Sequence, residues 1–309
     1  MATASGYSPV VAMGDGGVKV ELSSDHPGFA DPAYRARRDE IAALSIDHVT
    51  GGPIPKVAYS DEEHRVWEIV ARELVPKHQR SACREYIGAS EALALPLDHI
   101  PQLGDVTSAL GSLTGFSYEP VAGLAPLRKF YGAFSSRTFF STQYIRHHSV
   151  PLYTPEPDIV HEVIGHANQL ASERFAAICE QVGDAVARCE SDEALGFLSR
   201  VFWFTLEFGV VYEKGEPRAY GAGILSSFGE LDVFQEAELR PFDFAAMGTC
   251  EYDITRYQPV LYAAGSFPEL VDNLTEFYSS YDDEAYEHLE ASATASAGAL
   301  SRGGASSPG

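Results

Sequence analysis

Residues 153–166 read YTPEPDIVHEVIGH, a stretch that joins the start of a helix to two histidines. Thr154 is a typical N-cap residue, and Pro155 suits the first position of a helix. The acidic residues that follow place negative charge near the helix N-terminus, where the helix dipole favours it. The stretch therefore predicts a helix that begins near residue 155 and carries His161 and His166.

The spacing of these two histidines differs from that of the zinc proteases. At about 100° per residue, His161 and His166 lie about 140° apart around an ideal α-helix, whereas the HExxH pair shares one face. Both imidazoles can still reach one metal ion if the helix loosens near Gly165, because glycine weakens a helix. The alternative is that both are ordinary helix histidines.

A single carboxylate, Glu207, lies in the apolar segment VFWFTLEFGV at residues 201–210. A buried carboxylate without a partner is costly, and the usual partners are a cation or a metal ion. Two imidazoles and one carboxylate with open positions opposite them form the facial triad of non-haem Fe(II) oxygenases. The alternative is a salt bridge from Glu207 to an arginine, such as Arg146 or Arg200.

These motifs resemble the pterin-dependent aromatic amino acid hydroxylases, and in organisation the catalytic domain of the bacterial phenylalanine hydroxylases. The similarity extends over about residues 26–280. Further motifs that carry it are HPGFADPAYRARR at 26–38, PIPKVAYSDEE at 53–63, IPQLGDV at 100–106, TQYIRH at 142–147 and AYGAGILSSFGEL at 219–231. The resemblance implies a mainly α fold, with a single catalytic domain of the hydroxylase type and a small β-hairpin or sheet component.

The resemblance also implies an enzyme, a monooxygenase that hydroxylates the ring of a free aromatic amino acid with O2. Its cofactors would be Fe(II) and tetrahydrobiopterin or a related tetrahydropterin. The iron ligands and catalytic residues would be His161, His166 and Glu207. The protein would hold the ring close to the iron and exclude water.

The resemblance assigns two further groups of residues. Those assigned to pterin binding are Val121, Gly123, Leu124, Phe130, Glu162 and Phe202. Those assigned to the amino acid are Arg146, Thr154, Pro157, Trp203, Phe208, Ser226 and Ile254. From its chemistry alone, an arginine such as Arg146 can clamp a carboxylate through two parallel hydrogen bonds.

Two pocket positions favour phenylalanine as the substrate, and the resemblance to bacterial phenylalanine hydroxylases implies tyrosine as the product. Trp203 matches the phenylalanine and tyrosine hydroxylases, and Ile254 offers an apolar wall that suits an unsubstituted ring. The segments ANQL at 167–170 and APLRKF at 125–130, and Phe202, depart from the common family pattern. The alternatives are therefore a phenylalanine 3-hydroxylase that forms meta-tyrosine, and a tryptophan hydroxylase.

Domain organisation follows from composition and helix signals. We predict a flexible N-terminal segment at 1–25, a catalytic domain at 26–285 and a flexible tail rich in Ala, Ser and Gly at 286–309. Ser60 and Glu63 form a capping box that starts a helix ending at Pro76. Further helices are expected near 90–95, 105–113, 172–189, 192–209 and 267–281, and a hairpin is expected around Gly215.

Charge and composition exclude several functions. The net charge of −22 argues against nucleic-acid binding, because no basic stripe is present to replace phosphate counterions. No apolar run approaches the length of a membrane span, and the four cysteines form no CxxC pair. We expect a cytoplasmic monomer with reduced thiols that binds an aromatic amino acid, O2 and a pterin. Alternatives from other classes are a zinc hydrolase with Glu162 as general base, and a metal-dependent binding protein.

Overall fold

The computed structural model describes residues 9–12, 18–123, 125–254 and 256–303, with side chains as far as residue 295. The fold is mainly α, as predicted. The α-helices are α1 (Pro32–Ile46), α2 (Asp61–Ser81), α3 (Arg84–Leu93), α4 (Leu103–Leu113), α5 (Leu127–Gly132), α6 (Asn168–Leu170), α7 (Glu173–Arg188), α8 (Asp192–Phe202), α9 (Ala222–Ser226), α10 (Glu230–Val233), α11 (Phe244–Thr249), α12 (Phe267–Ser280) and α13 (Asp283–Gly303). Two segments, His161–Ala167 and Trp203–Glu207, are wound as π-helix. Ala133–Ser136 and Phe234–Glu236 are short 3₁₀ turns.

The strands form three small sheets. They are β1 (Val10–Ala12), β2 (Val18–Val20), β3 (Ser117–Pro120), β4 (Thr138–Ser141), β5 (Val210–Glu213), β6 (Glu216–Ala219), β7 (Glu238–Pro241) and β8 (Val260–Ala264). β1 and β2 pair antiparallel, and β3 and β4 pair parallel. The third sheet has the order β6-β5-β8-β7, with β5 and β6 antiparallel and the other pairs parallel.

The predicted hairpin is confirmed at β5 and β6, where Val210 pairs with Ala219. Its two-residue turn consists of Lys214 and Gly215, with φ values of 54° and 83°. Such positive φ values at both central residues match the twist of antiparallel strands and favour glycine.

Helix α2 begins as predicted but ends later than predicted. The Ser60 and Glu63 capping box is present, yet the helix runs through Pro76 to Ser81. Pro76 removes one helical hydrogen bond, but the turn beyond it is anchored elsewhere. Lys77 is paired with Asp232, and His78 Nε2 lies 2.7 Å from the carbonyl of Leu225. These long-range contacts hold the last turn in place, so the prediction of an end at Pro76 is wrong.

Parts of both predicted terminal segments have regular structure. β2 lies against α1, where Val20, Leu22 and Ala42 form a small buried cluster, so part of the segment predicted to be flexible is packed. At the other end α13 crosses the predicted boundary at residue 285 and continues to Gly303. Alanine favours a helix wherever no breaker intervenes, which explains a helix in this small-residue segment.

The main core lies behind the helical stretch that carries the two histidines. Ile159, Val160 and Val163 are fully buried in it, together with the apolar faces of α7 and α8. Burial of side chains of this size contributes about 1.5–3 kcal/mol each relative to exposure. Within the described residues, no helix is both long and apolar enough to cross a membrane.

Candidate metal centre

The two histidines lie on a π-helical segment, His161–Ala167. A π-helix closes its hydrogen bonds from residue i to residue i+5, so it holds more residues per turn than the about 3.6 of an α-helix. Residues five apart therefore come close to one face. The predicted departure from α-helix near Gly165 is confirmed, and it turns the spacing of His161 and His166 into a convergent pair.

Packing also requires a glycine at position 165. A Cβ atom on Gly165 would lie 2.9 Å from the carbonyl oxygen of Ala222, in α9. Helix α9 therefore approaches the π-helical segment more closely than a larger residue would permit. This approach matters because α9 carries Ser226, which contacts His161.

Three predicted ligands converge in the structure. The Nε2 atoms of His161 and His166 lie 3.1 Å apart. Glu207 Oε1 lies 3.0 Å from His166 Nε2, and Glu207 Oε2 lies 3.6 Å from His161 Nε2. Three donor atoms at these separations can surround one ion, because metal–nitrogen and metal–oxygen bonds are about 2.0–2.2 Å long. Two imidazoles and one carboxylate are the donors of the facial triad, so the residues fit a mononuclear iron.

The protonation states also suit metal binding. Burial lowers the pKa of His161 to about 4, so this imidazole is neutral at pH 7 and its Nε2 lone pair is available. Burial acts to raise the pKa of Glu207, but the adjacent His166 and His161 outweigh it, and the pKa lies below its ordinary value. The centre therefore offers a neutral imidazole at His161 and an ionised carboxylate at Glu207, as a metal requires.

Neither arginine considered as a salt-bridge partner reaches Glu207. Arg146 makes its ion pair with Asp158, and Arg200 lies 4.0 Å from Glu251 and donates to the carbonyl of Gly248. The alternative in which Glu207 forms a salt bridge with Arg146 or Arg200 is therefore wrong.

Ser226 and Asp158 orient His161. The Oγ atom of Ser226 lies 2.9 Å from His161 Nδ1 and donates to the carbonyl of Ala222. A hydrogen bond at Nδ1 leaves Nε2 as the ligand atom and fixes the ring. Asp158 Oδ1 accepts a hydrogen bond of 3.4 Å from the backbone amide of His161.

The helix start differs from the prediction. It lies at Ile159, and the side chain that caps it belongs to Asp158. The hydroxyl of Thr154 donates to the carbonyl of Glu156 and accepts from its amide, so it closes a local turn instead. A short polar side chain satisfies whichever backbone groups are near, and sequence alone does not decide between these uses. The prediction of Thr154 as the N-cap is wrong.

Arg146 uses its paired donors within the protein. Nε and Nη2 donate to the two carboxylate oxygens of Asp158 at 2.9 and 2.8 Å. The parallel pair of hydrogen bonds expected for a substrate carboxylate therefore holds Asp158. Among the described residues Nη1 of Arg146 makes no hydrogen bond, which leaves one guanidinium nitrogen to contact a ligand.

Two tyrosine hydroxyls donate to carbonyls of the π-helical segment. Tyr118 Oη donates to the carbonyl of Glu162 at 2.7 Å, and Tyr86 Oη donates to that of Ile164 at 2.6 Å. The side chain of Asn168 also donates to Ile164, at 3.0 Å. Sequence reasoning missed the two tyrosines, because their hydroxyls reach the segment from β3 and α3; Asn168 was singled out as part of the unusual ANQL segment, but its partner was not predicted.

The residues assigned to the pterin lie near β3, β4 and α5. Val121 and Gly123 are half-buried in the loop after β3, and Leu124 lies outside the described residues. The ring of Phe130 is half-buried and meets the rings of Tyr131, Phe134 and Phe139 edge-on. One face of such a ring can remain open to a flat cofactor.

Glu162 and Phe202 occupy different environments. Glu162 is buried, with Thr142 Oγ1 at 3.4 Å, and its carboxylate lies with the nitrogens of His161 and His166 in one group within 4.8 Å. Burial, followed by the charge of Glu207, holds the pKa of Glu162 well above its ordinary range. Phe202 packs into the aromatic core against Tyr131 and Phe134, behind Phe130.

An aromatic wall lies beside Glu207. Trp203 stacks on Tyr252 with ring centroids 4.2 Å apart, and Phe208 packs against Trp203 at 4.5 Å. Ile254 is half-buried in the loop between α11 and β8. Pro157 lies just before the helix that carries His161 and His166, and its carbonyl accepts a hydrogen bond from the hydroxyl of Tyr144. Sequence reasoning missed Tyr252, which lies 49 residues beyond Trp203 and meets it only in the fold.

The family model of biopterin-dependent aromatic amino acid hydroxylases matches residues 16–295. This chain belongs to that family. The resemblance inferred from the motifs is thereby confirmed, and the chain is a biopterin-dependent hydroxylase rather than a zinc hydrolase or a binding protein.

Two relatives show how the hydroxylase relates to proteins of known activity. It is 47% identical over 268 residues to phenylalanine 3-hydroxylase of Streptomyces coeruleorubidus, covering 87% of this chain and 96% of that protein. It is 41% identical over 269 residues to phenylalanine-4-hydroxylase of Rattus norvegicus, covering 83% of this chain and 58% of that protein. The chain thus spans a little over half the length of the rat enzyme.

Solved bacterial structures share the fold of this hydroxylase. The apo phenylalanine hydroxylase of Colwellia psychrerythraea matches with a TM-score of 0.71 and 31% identity, covering 80% of this chain and 94% of that one. The Chromobacterium violaceum enzyme with bound oxidised Fe(III) matches with a TM-score of 0.69 and 26% identity, covering 78% and 88%.

Proposed function

We propose that this hydroxylase adds oxygen to the ring of free L-phenylalanine, using iron held by His161, His166 and Glu207. The convergence of these three side chains at 3.0–3.6 Å is the observation that carries the proposal. The relative with Fe(III) at its site supports the choice of metal. When bound, the iron and the tetrahydropterin together supply the activation of O2 that ring hydroxylation requires.

The chain's own residues would bind and orient the amino acid. Nη1 of Arg146 contacts the substrate carboxylate, while Asp158 fixes the guanidinium in place. Trp203, Phe208 and Ile254 form an apolar wall for the ring, which keeps water away from the reacting carbon. An unsubstituted ring suits this wall, because a phenol placed there would need a hydrogen-bond partner.

On the pterin side, Phe130 offers a ring face to a flat cofactor, and the loop with Val121 and Gly123 allows close approach of its backbone. Burial raises the pKa of Glu162 and so favours the protonated carboxyl group, which would donate a hydrogen bond to an acceptor on the cofactor. Its position between the two histidines would keep the pterin beside the iron.

For the ring carbon that is hydroxylated, our first candidate is the meta position, which gives meta-tyrosine. The higher identity to the 3-hydroxylase, over nearly the whole of that protein, supports this choice. The second candidate is para-tyrosine, supported by the 41% identity to the rat 4-hydroxylase.

Aerobic turnover with Fe(II), a tetrahydropterin and L-phenylalanine tests the proposal, with chromatographic separation of ortho-, meta- and para-tyrosine. We expect meta-tyrosine as the main product, with tyrosine and tryptophan consumed more slowly in parallel reactions. A para-tyrosine product would replace the first candidate by the second. Absence of any hydroxylated product from iron-loaded protein would contradict the proposed substrate.

A further inference from the structure

A second group of metal-binding side chains lies away from the His161, His166 and Glu207 triad. It consists of Asp31, His147 and His148, and one donor atom from each lies within 4.8 Å of the others. We call these three residues the outer cluster. Neither the hydroxylation reaction nor its cofactors account for it.

In the outer cluster, the side chain of His147 is held by neighbouring groups, whereas that of His148 is more exposed. His147 is nearly buried, and its Nε2 lies 3.2 Å from Asp31 Oδ2. Its other ring nitrogen lies 2.7 Å from the hydroxyl of Ser149, which orients the ring. His148 is half-exposed, and its ring centroid lies 4.2 Å from that of His147. A short rotation of His148 would bring its ligand atom to the others.

Asp31 is held in place by a different set of contacts. Its Oδ1 accepts hydrogen bonds from the amides of Ala33 and Tyr34 as the N-cap of α1, and this leaves Oδ2 directed at His147. The ligand oxygen is therefore oriented before a metal ion arrives.

A further carboxylate, that of Glu62, lies beside the outer cluster, in contact with His148. Glu62 Oε2 lies 3.4 Å from His148 Nδ1. Glu62, Asp31 and His148 line an open cavity of about 330 Å³, which gives an ion access from solvent. The two arginines that line the cavity are already paired, Arg37 with Glu63 and Arg146 with Asp158.

Two imidazoles and one or two carboxylates are typical ligands of Zn²⁺, which takes four ligands in a tetrahedral arrangement. We propose that the outer cluster is a second metal site, in which His147, His148 and Asp31 bind one Zn²⁺ ion and Glu62 provides the fourth ligand. The site differs from the iron centre in all of its ligands, and its occupation does not depend on which ring carbon the enzyme hydroxylates.

Zinc titration of the Fe(II)-loaded enzyme tests this proposal. Protein would be loaded anaerobically, desalted and titrated with ZnCl₂ against a chromophoric chelator, and iron and zinc would then be counted by elemental analysis. We expect one zinc ion per chain in addition to the iron. His148→Ala should weaken zinc binding at least about tenfold, because it removes a ligand, while the iron content stays unchanged.

Two further variants separate ligation from folding. Asp31→Asn keeps the helix cap, since asparagine caps as well as aspartate, but removes the charge, and it should also weaken zinc binding. His288→Ala is the matched control, because His288 is exposed and lies 3.9 Å from Glu284 alone; zinc affinity should not change. The proposal fails if zinc enters only as iron leaves, if no zinc binds, or if His148→Ala binds it as tightly as the wild type.

Discussion

The two π-helical segments that carry the triad are held by different kinds of contact. His161–Ala167 receives hydrogen bonds on its carbonyls from Tyr118 and Tyr86, which reach it from β3 and α3. Trp203–Glu207 receives one side-chain hydrogen bond, from Gln169 to the carbonyl of Leu206 at 3.1 Å, and backbone packs tightly against it. A Cβ atom on Gly221 would lie 2.3 Å from the carbonyl oxygen of Glu207.

This difference shows two ways to keep an irregular helix in place. A π-helical turn loses regular hydrogen bonding, so its buried carbonyls need other donors or a tight enclosure. The first segment obtains two tyrosine hydroxyl donors and a close approach at Gly165, whereas the second obtains one amide donor, from Gln169, and a tighter approach at Gly221. We therefore expect hydroxyl deletion to affect the first segment and an added methyl group to affect the second.

The largest effect is expected from removal of a ligand of the second segment. Glu207→Ala should lose stoichiometric iron and reduce turnover to below about 1% of the wild-type rate, since the change removes one of three ligands. Iron analysis after desalting and a turnover assay measure this. Glu193→Ala, an exposed change in α8, should keep both. Retention of iron by Glu207→Ala would show that the second segment does not bind the metal.

The next-largest effect is expected at Gly221, where backbone packs closely against the carbonyl of Glu207. Gly221→Ala should lower the free energy of unfolding by about 3 kcal/mol, because the new methyl group would overlap the Glu207 carbonyl and overpack the site. Urea unfolding measures this, and iron affinity should fall with it. Gly88→Ala in α3 meets open space and should be neutral or slightly stabilising. Equal stability of the two variants would contradict the enclosure.

Removal of one tyrosine hydroxyl tests the first segment. Tyr118→Phe should lower the free energy of unfolding by about 2 kcal/mol, because the buried carbonyl of Glu162 loses a hydrogen bond. Iron affinity should fall as well. Tyr220→Phe is the matched control, since the Tyr220 hydroxyl is buried without a hydrogen-bond partner among the described residues. If both changes cost the same, the hydroxyls do not hold the segment.

The smallest effect is a pH dependence. His78 contacts α9 through Leu225 and packs edge-on against Tyr86, so it supports the first segment. Burial lowers the pKa of His78 to about 4, whereas in the unfolded chain it is about 6.5. The unfolded state therefore binds more protons, and stability falls as the pH drops from about 6.5 towards 4.

Between pH 7 and pH 5.5 this histidine should reduce the free energy of unfolding by about 1 kcal/mol. His78→Gln, which cannot titrate, should lose correspondingly less over the same range. Urea unfolding at the two pH values measures the difference. Identical acid sensitivity of the two proteins would show that His78 does not titrate on unfolding.

Much of the site was visible in the sequence because its chemistry is local. The HExxxH pair, the lone Glu207 in an apolar segment and the motif order predicted the triad and the family, and Gly165 marked the irregular turn. Arg146 was found as well, but its pairing with Asp158 was not. The loop that carries Arg146 meets the helix cap at Asp158 only in the folded chain, so no local sequence pattern predicts this pair.

The candidate ligands, the family and most helices could be predicted from the sequence, because charge, apolar periodicity and capping act over a few residues. Three features depended on tertiary contacts. They are the start of the helix that carries His161 and His166, the continuation of α2 past Pro76, and the hydrogen bonds from Tyr118 and Tyr86 to the π-helical segment. The tertiary structure also brought Asp31 to His147, which lies 116 residues away in the chain. These outcomes depend on which buried carbonyls, charges and surfaces meet when the chain closes on itself, and that is a property of the packed molecule.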